Sequence, residues 1–277
     1  MQNAGIDSLG LKWRYIAFDV HPNDLRPAIE GARLMGFIGL NLTVPHKILA
    51  LPMMDVVDPQ AQKWGAVNTV VFEAQDADGK WKPVGQFSPS ENTPIRSHGY
   101  NTDADAIIQS LREDFSWPDL RGASVLLLGA GGAAQAAALR LAQEGVAQIW
   151  LVNRTEEKRR TLKNALLREF PSQDVREGYP PVGVDLVINA TSLGLKSDDA
   201  LPIDHEWLSA RKPRCAFDMI YRPRETPFLR AARSLGCQTA NGLSMLLYQG
   251  ARALELWTGR SAPAAVMRSA LEANVYD

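Results

Sequence analysis

Between Ser124 and Arg154 the chain reads SVLLLGAGGAAQAAALRLAQEGVAQIWLVNR, and no other stretch limits the possible folds so strongly. Val125 to Leu128 is an apolar run too short for a helix and closed by Gly129, the pattern of a buried strand. Gly129, Gly131 and Ala134 match G-x-G-x-x-A at the turn from strand to helix. A first glycine permits the tight turn, and a second lets the backbone approach a pyrophosphate. A small third residue lets helix and strand pack closely. The phosphates then sit on unpaired N–H groups at the start of the alanine-rich helix. A glycine loop alone can be a purely structural turn. Here the flanking strand, helix and second strand are all present, and the stretch is read as a dinucleotide cradle.

Composition excludes several other classes. Of 277 residues, 45% are hydrophobic and 22% charged, the balance of a globular chain. A net charge of −1 supplies no field for nucleic acid or an anionic membrane surface. No apolar run approaches the roughly 20 residues that span a bilayer. The opening MQNAGIDSLG lacks the basic-then-apolar order of a signal peptide. Cys215 and Cys237 are the only cysteines, which fits reduced, buried thiols and a cytoplasmic location. The histidines His21, His46, His98 and His205 are scattered, and no metal-ligand spacing occurs. Composition therefore points away from nucleic acid and membrane partners and leaves a small-molecule substrate as the expected partner, while it does not fix whether the protein is a monomer or homodimer.

In chain order, residues 1–20 read as a helix tail, a break at Gly10 and a strand from Trp13 to Val20. Pro22 to Leu34 carries helix signals, with apolar residues at Leu25, Ile29 and Ala32 and a stop at Gly36. Phe37 to Leu42 is a short strand, residues 48–64 are helical with interruptions at Pro52 and Pro59, and Ala66 to Glu73 is a strand. Alternation of this kind is an α/β layer in its own right. From Ala74 to Ser97 the periodicity dissolves into a turn (DADGK), a possible return strand (KWKPVGQ) and a polar loop, a segment read as a lid or a mobile insertion. A helix starts at Asn101 to Asp103. Beyond the glycine stretch, strands follow at Val184–Asn189 and Arg214–Met219, and helices at 226–236, Leu243–Thr258 and Ala262–Ala273.

The second strand of the cradle selects the cofactor. An NAD unit ends that strand in an acid that bonds the ribose 2′-hydroxyl, about 20 residues beyond the glycines. Here it ends in Asn153, Arg154 and Thr155, with Lys158 following. A guanidinium stands where the acid belongs, and it pairs with a 2′-phosphate in bidentate fashion, so NADP is favoured over NAD. Glu156 and Glu157 leave a solvated basic face as the alternative. Hydride transfer to a carbonyl also needs a proton donor. No tyrosine-x-x-x-lysine pair follows the cradle, so the donor comes from the other domain. Lys47, just after a strand, and Asp103, at a helix start, are a possible pair. Sequence distance alone does not bring them together, and a surface lysine with a helix-start aspartate is the simpler alternative.

The motifs NLTVPHK, GAVNT, NTD, GAGGAA, NRT, NATSLG, DMIYRPRETPFL and NGLSMLLYQG occur in the order found in shikimate dehydrogenases, and the chain resembles that family over nearly its whole length. The resemblance implies an N-terminal α/β substrate domain (residues 1–103 with 242–277) and a Rossmann-type NADP-binding domain (104–241), with C-terminal helices returning to the substrate domain. It implies that Lys47 is the catalytic lysine and Asp103 its partner. Thr43, Asn68 and Gln249 would hold the ring hydroxyls, with Tyr221 near the substrate. Gly129, Ala130, Gly131, Gly132, Ala133 and Ala134 would hold the pyrophosphate. Asn153, Arg154, Thr155 and Lys158 would hold the 2′-phosphate end, and Thr191, Met219 and Gly242 would lie along the nicotinamide half. The implied reaction is the reversible NADPH-dependent reduction of 3-dehydroshikimate to shikimate, on the way to chorismate and the aromatic amino acids.

The chain departs from the pattern at three places. Family members carry a strand and a serine-x-serine motif just before a segment like MHNAAF, and the opening MQNAGIDSLGL aligns with the segment after that motif, so the sequence as read lacks that strand and both serines. A fragment, an internal start or an impaired enzyme would each account for this, and an upstream transit peptide would make a plastid the compartment. Ala106 stands where a glycine usually follows NTD, and the 74–98 segment is long. A broader quinate/shikimate dehydrogenase and a ligand-sensing module that kept the fold share most of these motifs.

Overall fold

Short apolar runs become strands in both halves of the chain, and the segments between them become helices that bury one stripe against a sheet. The computed structural model describes residues 1–90, 93–196 and 198–276. It divides into two units, Met1–Asp103 with Leu247–Leu271 and Ala104–Leu246 with Glu272–Asp277. No helix among the described residues is long and apolar enough to cross a membrane.

The first unit contains α1 (Gln2–Ser8), a 3-10 turn (Pro22–Asp24) leading into α2 (Leu25–Leu34), β1 (Gly39–Asn41), α3 (His46–Leu49), β2 (Val56–Val57), α4 (Pro59–Trp64), β3 (Thr69–Gln75), β4 (Trp81–Pro83) and β5 (Ile95–Tyr100). Strand β3 is the spine. It pairs antiparallel with β5, β1 and β4, and β2 lies parallel beside β5. Leu25, Ile29 and Ala32 recur at helical spacing on α2 and pack with Val70 and Phe72 of β3 in one core cluster. Helix α4 starts where the sequence marks it. Asp58 accepts from the N–H groups of Gln60 (2.9 Å) and Ala61 (3.2 Å), and Pro59 takes the first helical position.

Three expectations change in this unit. Trp13 to Val20 forms no ladder among the described residues. Its backbone at Tyr15 is held instead by the Asn3 side chain, at 2.7 and 3.0 Å, and Ile16 and Phe18 stay 59% and 62% exposed. Apolar residues select a face, but a strand also needs a neighbour, which a local pattern does not reveal. The helical reading of 48–64 breaks into α3, a 3-10 turn at Leu51–Met53, β2 and α4, because two prolines and the Asp58 cap restart the chain. Finally, 74–98 is partly sheet, with its two ends in β3 and β5 and Trp81–Pro83 forming β4. Asp76 closes the β3–β4 hairpin by accepting from the N–H groups of Asp78 (2.9 Å) and Lys80 (3.0 Å), and β5 pairs along β3 from Thr69 to Ala74. Glu91 and Asn92, within that reading, lie outside the described residues.

The second unit contains α5 (Asp103–Asp114, from its second residue), β6 (Ser124–Leu128), α6 (Gly132–Glu144), β7 (Gln148–Val152), α7 (Glu156–Glu169), β8 (Asp174–Glu177), β9 (Leu186–Asn189), α8 (His205–Arg211), β10 (Cys215–Asp218), α9 (Pro227–Ser234) and β11 (Gln238–Asn241). Helix α10 (Leu243–Thr258) begins here and passes into the first unit, and α11 (Ala264–Tyr276) ends the described chain. The strands form one parallel sheet in the order β11-β10-β9-β6-β7-β8. Numbered within the unit, this is 6-5-4-1-2-3, the doubly wound order of a Rossmann sheet, with its switch point between β6 and β9. The central strands read as the apolar runs VLLL, LVIN and CAFD. The edge strands β8 (DVRE) and β11 (QTAN) are polar and escape a reading based on hydrophobic runs.

Candidate active site

Sheet register brings the substrate-side residues together. Asn41, Thr69 and Tyr100 are partners across β1, β3 and β5, so β1 ends, β3 begins and β5 ends at the same edge of the sheet. Residues just beyond those positions must converge there. Lys47 follows β1, Asn68 precedes β3, and Asp103 follows β5. The main chain locks them in place, since Val67 N–H donates to Lys47 O (2.8 Å), Leu42 N–H to Asn68 O (2.8 Å) and Asn68 N–H to Tyr100 O (3.0 Å). Asn101 steers the next turn by accepting from Asp103 N–H at 3.0 Å and donating to Ala66 O at 3.0 Å.

The result is an ion pair. Lys47 Nζ donates to Asp103 Oδ2 at 2.7 Å, with the two side chains 26% and 16% exposed. Residues 56 positions apart thus meet with both side chains partly exposed. Asn68 lies beside them but is committed inward. Its Oδ1 accepts from Thr102 N–H (2.8 Å) and the Thr69 hydroxyl (3.1 Å), and its Nδ2 donates to the Thr102 hydroxyl (3.0 Å). Asn68 is 1% exposed, and these bonds use one of its two amide hydrogens. Thr102 in turn donates to the Gln249 carbonyl at 3.0 Å, which ties the NTD turn to α10. Thr43 stands exposed ahead of α3, its carbonyl accepting from His46 N–H at 2.7 Å.

In the second unit the glycine loop sits at the switch point, outside the carboxyl end of β6, where ligands of doubly wound sheets bind. Gly129 has φ +111°, and a Cβ there would lie 3.0 Å from Ala190 O, so the turn itself demands glycine. Gly131 and Gly132 differ, because a Cβ at either would meet nothing within 4 Å. No protein atom requires glycine there, and the open space lies at the start of α6, whose N-cap Gly131 supplies no side-chain cap. That arrangement fits a pyrophosphate resting on free N–H groups. At the end of β7, Asn153 Nδ2 donates to Thr155 O at 2.8 Å, shaping a short loop from which Arg154, Thr155 and Lys158 face solvent. Arg159 turns away toward Glu177, at 3.8 Å. The exposed cations fit a 2′-phosphate.

Family models match along the chain: the shikimate dehydrogenase substrate binding domain over residues 1–70, shikimate / quinate 5-dehydrogenase over 111–194, and the shikimate 5'-dehydrogenase C-terminal domain over 242–272. A shikimate dehydrogenase (NADP(+)) of Desulforamulus reducens is 39% identical, over 99% of this chain and 90% of its own. The chain belongs to the shikimate dehydrogenase family. The shikimate dehydrogenase (NADP(+)) of Methanosarcina acetivorans is 41% identical over 97% of this chain and 90% of its own. In structure, the shikimate 5-dehydrogenase of Thermus thermophilus in complex with NADP(H) and shikimate matches with a TM-score of 0.78 and 33% identity, over 98% of this chain and 92% of that one.

Of the remaining candidates in this family member, Gln249 is half-buried on α10 in the first unit, and Tyr221 lies in the second unit, 38% exposed. Thr191 and Met219 are partly buried after β9 and β10. Gly242 has a steric reason of its own, since a Cβ there would lie 2.2 Å from Met219 O. Two polar residues escaped the sequence reading. Asn41 donates to the Thr69 hydroxyl at 3.0 Å and accepts from the Tyr15 hydroxyl at 3.2 Å. Thr102 joins Asn68 to Gln249. The available signal was an asparagine inside the apolar strand FIGLNL and a threonine between the two residues of NTD already singled out.

Proposed function

We propose that this chain catalyses the reversible, NADP-dependent interconversion of 3-dehydroshikimate and shikimate, a step of aromatic amino acid biosynthesis. The observation that carries the proposal is the 2.7 Å Lys47–Asp103 pair at the sheet edge where Asn68 and Thr102 also lie. Bound NADPH supplies the hydride for the carbonyl carbon. Lys47 Nζ delivers a proton to the oxygen as negative charge develops there, and in the oxidising direction it takes the hydroxyl proton back. Asp103 holds the ammonium in place and offers its second carboxylate oxygen to a neighbouring hydroxyl. Thr43, Asn68, Gln249 and Tyr221 bind the substrate. Gly129 makes the turn, its own N–H donating to Val152 O, and the N–H groups of Ala130 to Ala134 bind the pyrophosphate, while Asn153, Arg154, Thr155 and Lys158 bind the 2′-phosphate. Thr191, Met219 and Gly242 line the nicotinamide side. In this reading the partner is a small molecule, the compartment is the cytoplasm, and the protein works as a monomer or homodimer.

The test is direct. Purified protein given shikimate and NADP+ should form NADPH, and faster than with quinate or with NAD+. Absence of NADPH above the enzyme-free rate, or equal rates with shikimate and quinate, would overturn the assignment.

A further inference from the structure

Asp218 is a buried carboxylate for which the proposed chemistry has no use. It ends β10, is 0% exposed, and stands in register with Asn189 at the end of β9. Three uncharged donors meet it. Oδ1 accepts from Asn189 Nδ2 and from Ile220 N–H, each at 3.0 Å, and Oδ2 accepts from the Thr226 hydroxyl at 2.6 Å. Burial raises the carboxyl's pKa, and the bonds from Thr226, Ile220 and Asn189 act against that rise. An anion without a cationic partner is costly to bury, so its binding partners must be well ordered.

Those partners lead to one place. Asn189 Oδ1 accepts from Thr191 N–H (3.0 Å) and from the Thr191 hydroxyl (2.7 Å), and Asn189 Nδ2 also donates to Leu193 O (3.0 Å), so the 190–194 turn hangs on Asn189. The Ile220 bond fixes the chain just past Met219, and Ile220 O accepts from Gly242 N–H at 3.2 Å. Gly242 in turn packs against the Met219 carbonyl. Thr226 closes the 219–226 loop and caps α9 by accepting from Leu229 N–H at 3.3 Å. Thr191, Met219 and Gly242 are thus each within one or two bonds of a single carboxylate. Arg154, after β7, is not reached by this set of bonds.

We propose that Asp218, acting through Asn189, Ile220 and Thr226, is a positioning residue that orders the 190–194 and 219–226 loops and so sets the nicotinamide side of the cofactor site. The proposal rests on the NADP reading given above. It separates the cofactor's two ends: loss of the Asp218 node should loosen the nicotinamide half and spare the adenosine 2′-phosphate half.

Asp218→Asn and Thr226→Val remove the charge and the shortest bond, and Thr226→Ser restores the hydroxyl. Affinities for NADP+ and for adenosine 2′,5′-bisphosphate, which lacks the nicotinamide, are measured by calorimetry on each folded protein. Losing one well-made buried hydrogen bond corresponds to about a tenfold change. Thr226→Val should weaken NADP+ by about tenfold and the bisphosphate by less than about twofold, with Thr226→Ser near wild type. Asp218→Asn should show the same split with a larger loss. If Asp218→Asn fails to fold, the two Thr226 variants still decide the matter. Parallel weakening of both ligands, or unchanged NADP+ affinity in Thr226→Val, would overturn the positioning role alone. A wild-type protein that binds neither ligand would overturn the NADP reading and this proposal with it.

Discussion

Replacing Lys47 with alanine separates chemistry from stability, because the two effects have different sizes. The pair it breaks is 2.7 Å long with side chains 26% and 16% exposed, neither a surface pair nor a fully buried one. Surface pairs contribute about 0–1 kcal/mol, and breaking a buried pair costs roughly 3–5 kcal/mol. An intermediate loss of about 1–2 kcal/mol follows, which lowers Tm by roughly 3–8 °C for a unit of this size. The catalytic effect is larger. Positioned proton transfer contributes about 10²- to 10⁴-fold, or roughly 3–5 kcal/mol of barrier. Steady-state NADPH oxidation with 3-dehydroshikimate, assayed well below Tm, should therefore show kcat reduced by at least about 100-fold. Fluorescence titration should give NADP+ affinity within about twofold of wild type, since the candidate cofactor residues belong to the second unit. A folded Lys47→Ala protein with kcat within about tenfold of wild type would refute the role, and proton delivery would have to come from elsewhere.

Arg154→Asp should raise KM for NADP+ far more than for NAD+, because the exposed guanidinium after β7 has a 2′-phosphate to pair with in only one of them; equal effects on both would sink the assignment. Tyr100 carries a pH signature. Burial first, then the nearby Glu73 charge, raises its hydroxyl pKa from 10.0 to about 12. A raised pKa contributes stability that is intact below 10.0 and lost as pH climbs through about 12, so wild type should lose stability relative to Tyr100→Phe across that window. Chemical denaturation at stepped alkaline pH checks this, and a constant difference would contradict it. Asp58→Ala removes the side-chain cap from two N–H groups of α4 and should cost about 1 kcal/mol in urea denaturation at unchanged m-value. No measurable loss would mean that water satisfies those groups equally well.

Much of the fold was legible because its strongest signals are local. The run VLLL followed by Gly129, Gly131 and Ala134 specifies a strand, a turn and a helix start within a few residues of one another. Arg154 in place of an acid is a local substitution with a local electrostatic meaning. Helix α4 is less legible, because its start depends on the Asp58 cap and Pro59 inside a run that otherwise reads as continuous helix. The polar edge strands β8 and β11, and β5 with its sequence IRSHGY, lack apolar runs because few of their residues face a core. They are strands by virtue of their neighbours. Trp13 to Val20 is the converse, apolar enough to suggest a strand yet without a ladder partner among the described residues.

Sequence by itself therefore determined the strand, glycine turn and helix start at Val125 to Ala134 and, through ordered motifs, the family. It named Lys47 and Asp103 without being able to join them, since no periodicity spans the 56 residues between them. The register of β1, β3 and β5 decided that they meet, because antiparallel pairing brings the end of one strand to the start of the next. Tertiary structure alone also decided that Asn68 is turned inward upon Thr102, and that Asp218 ties Thr191, Met219 and Gly242 together. Those are hydrogen bonds of buried side chains to one another and to backbone, and their geometry exists once the sheet has formed.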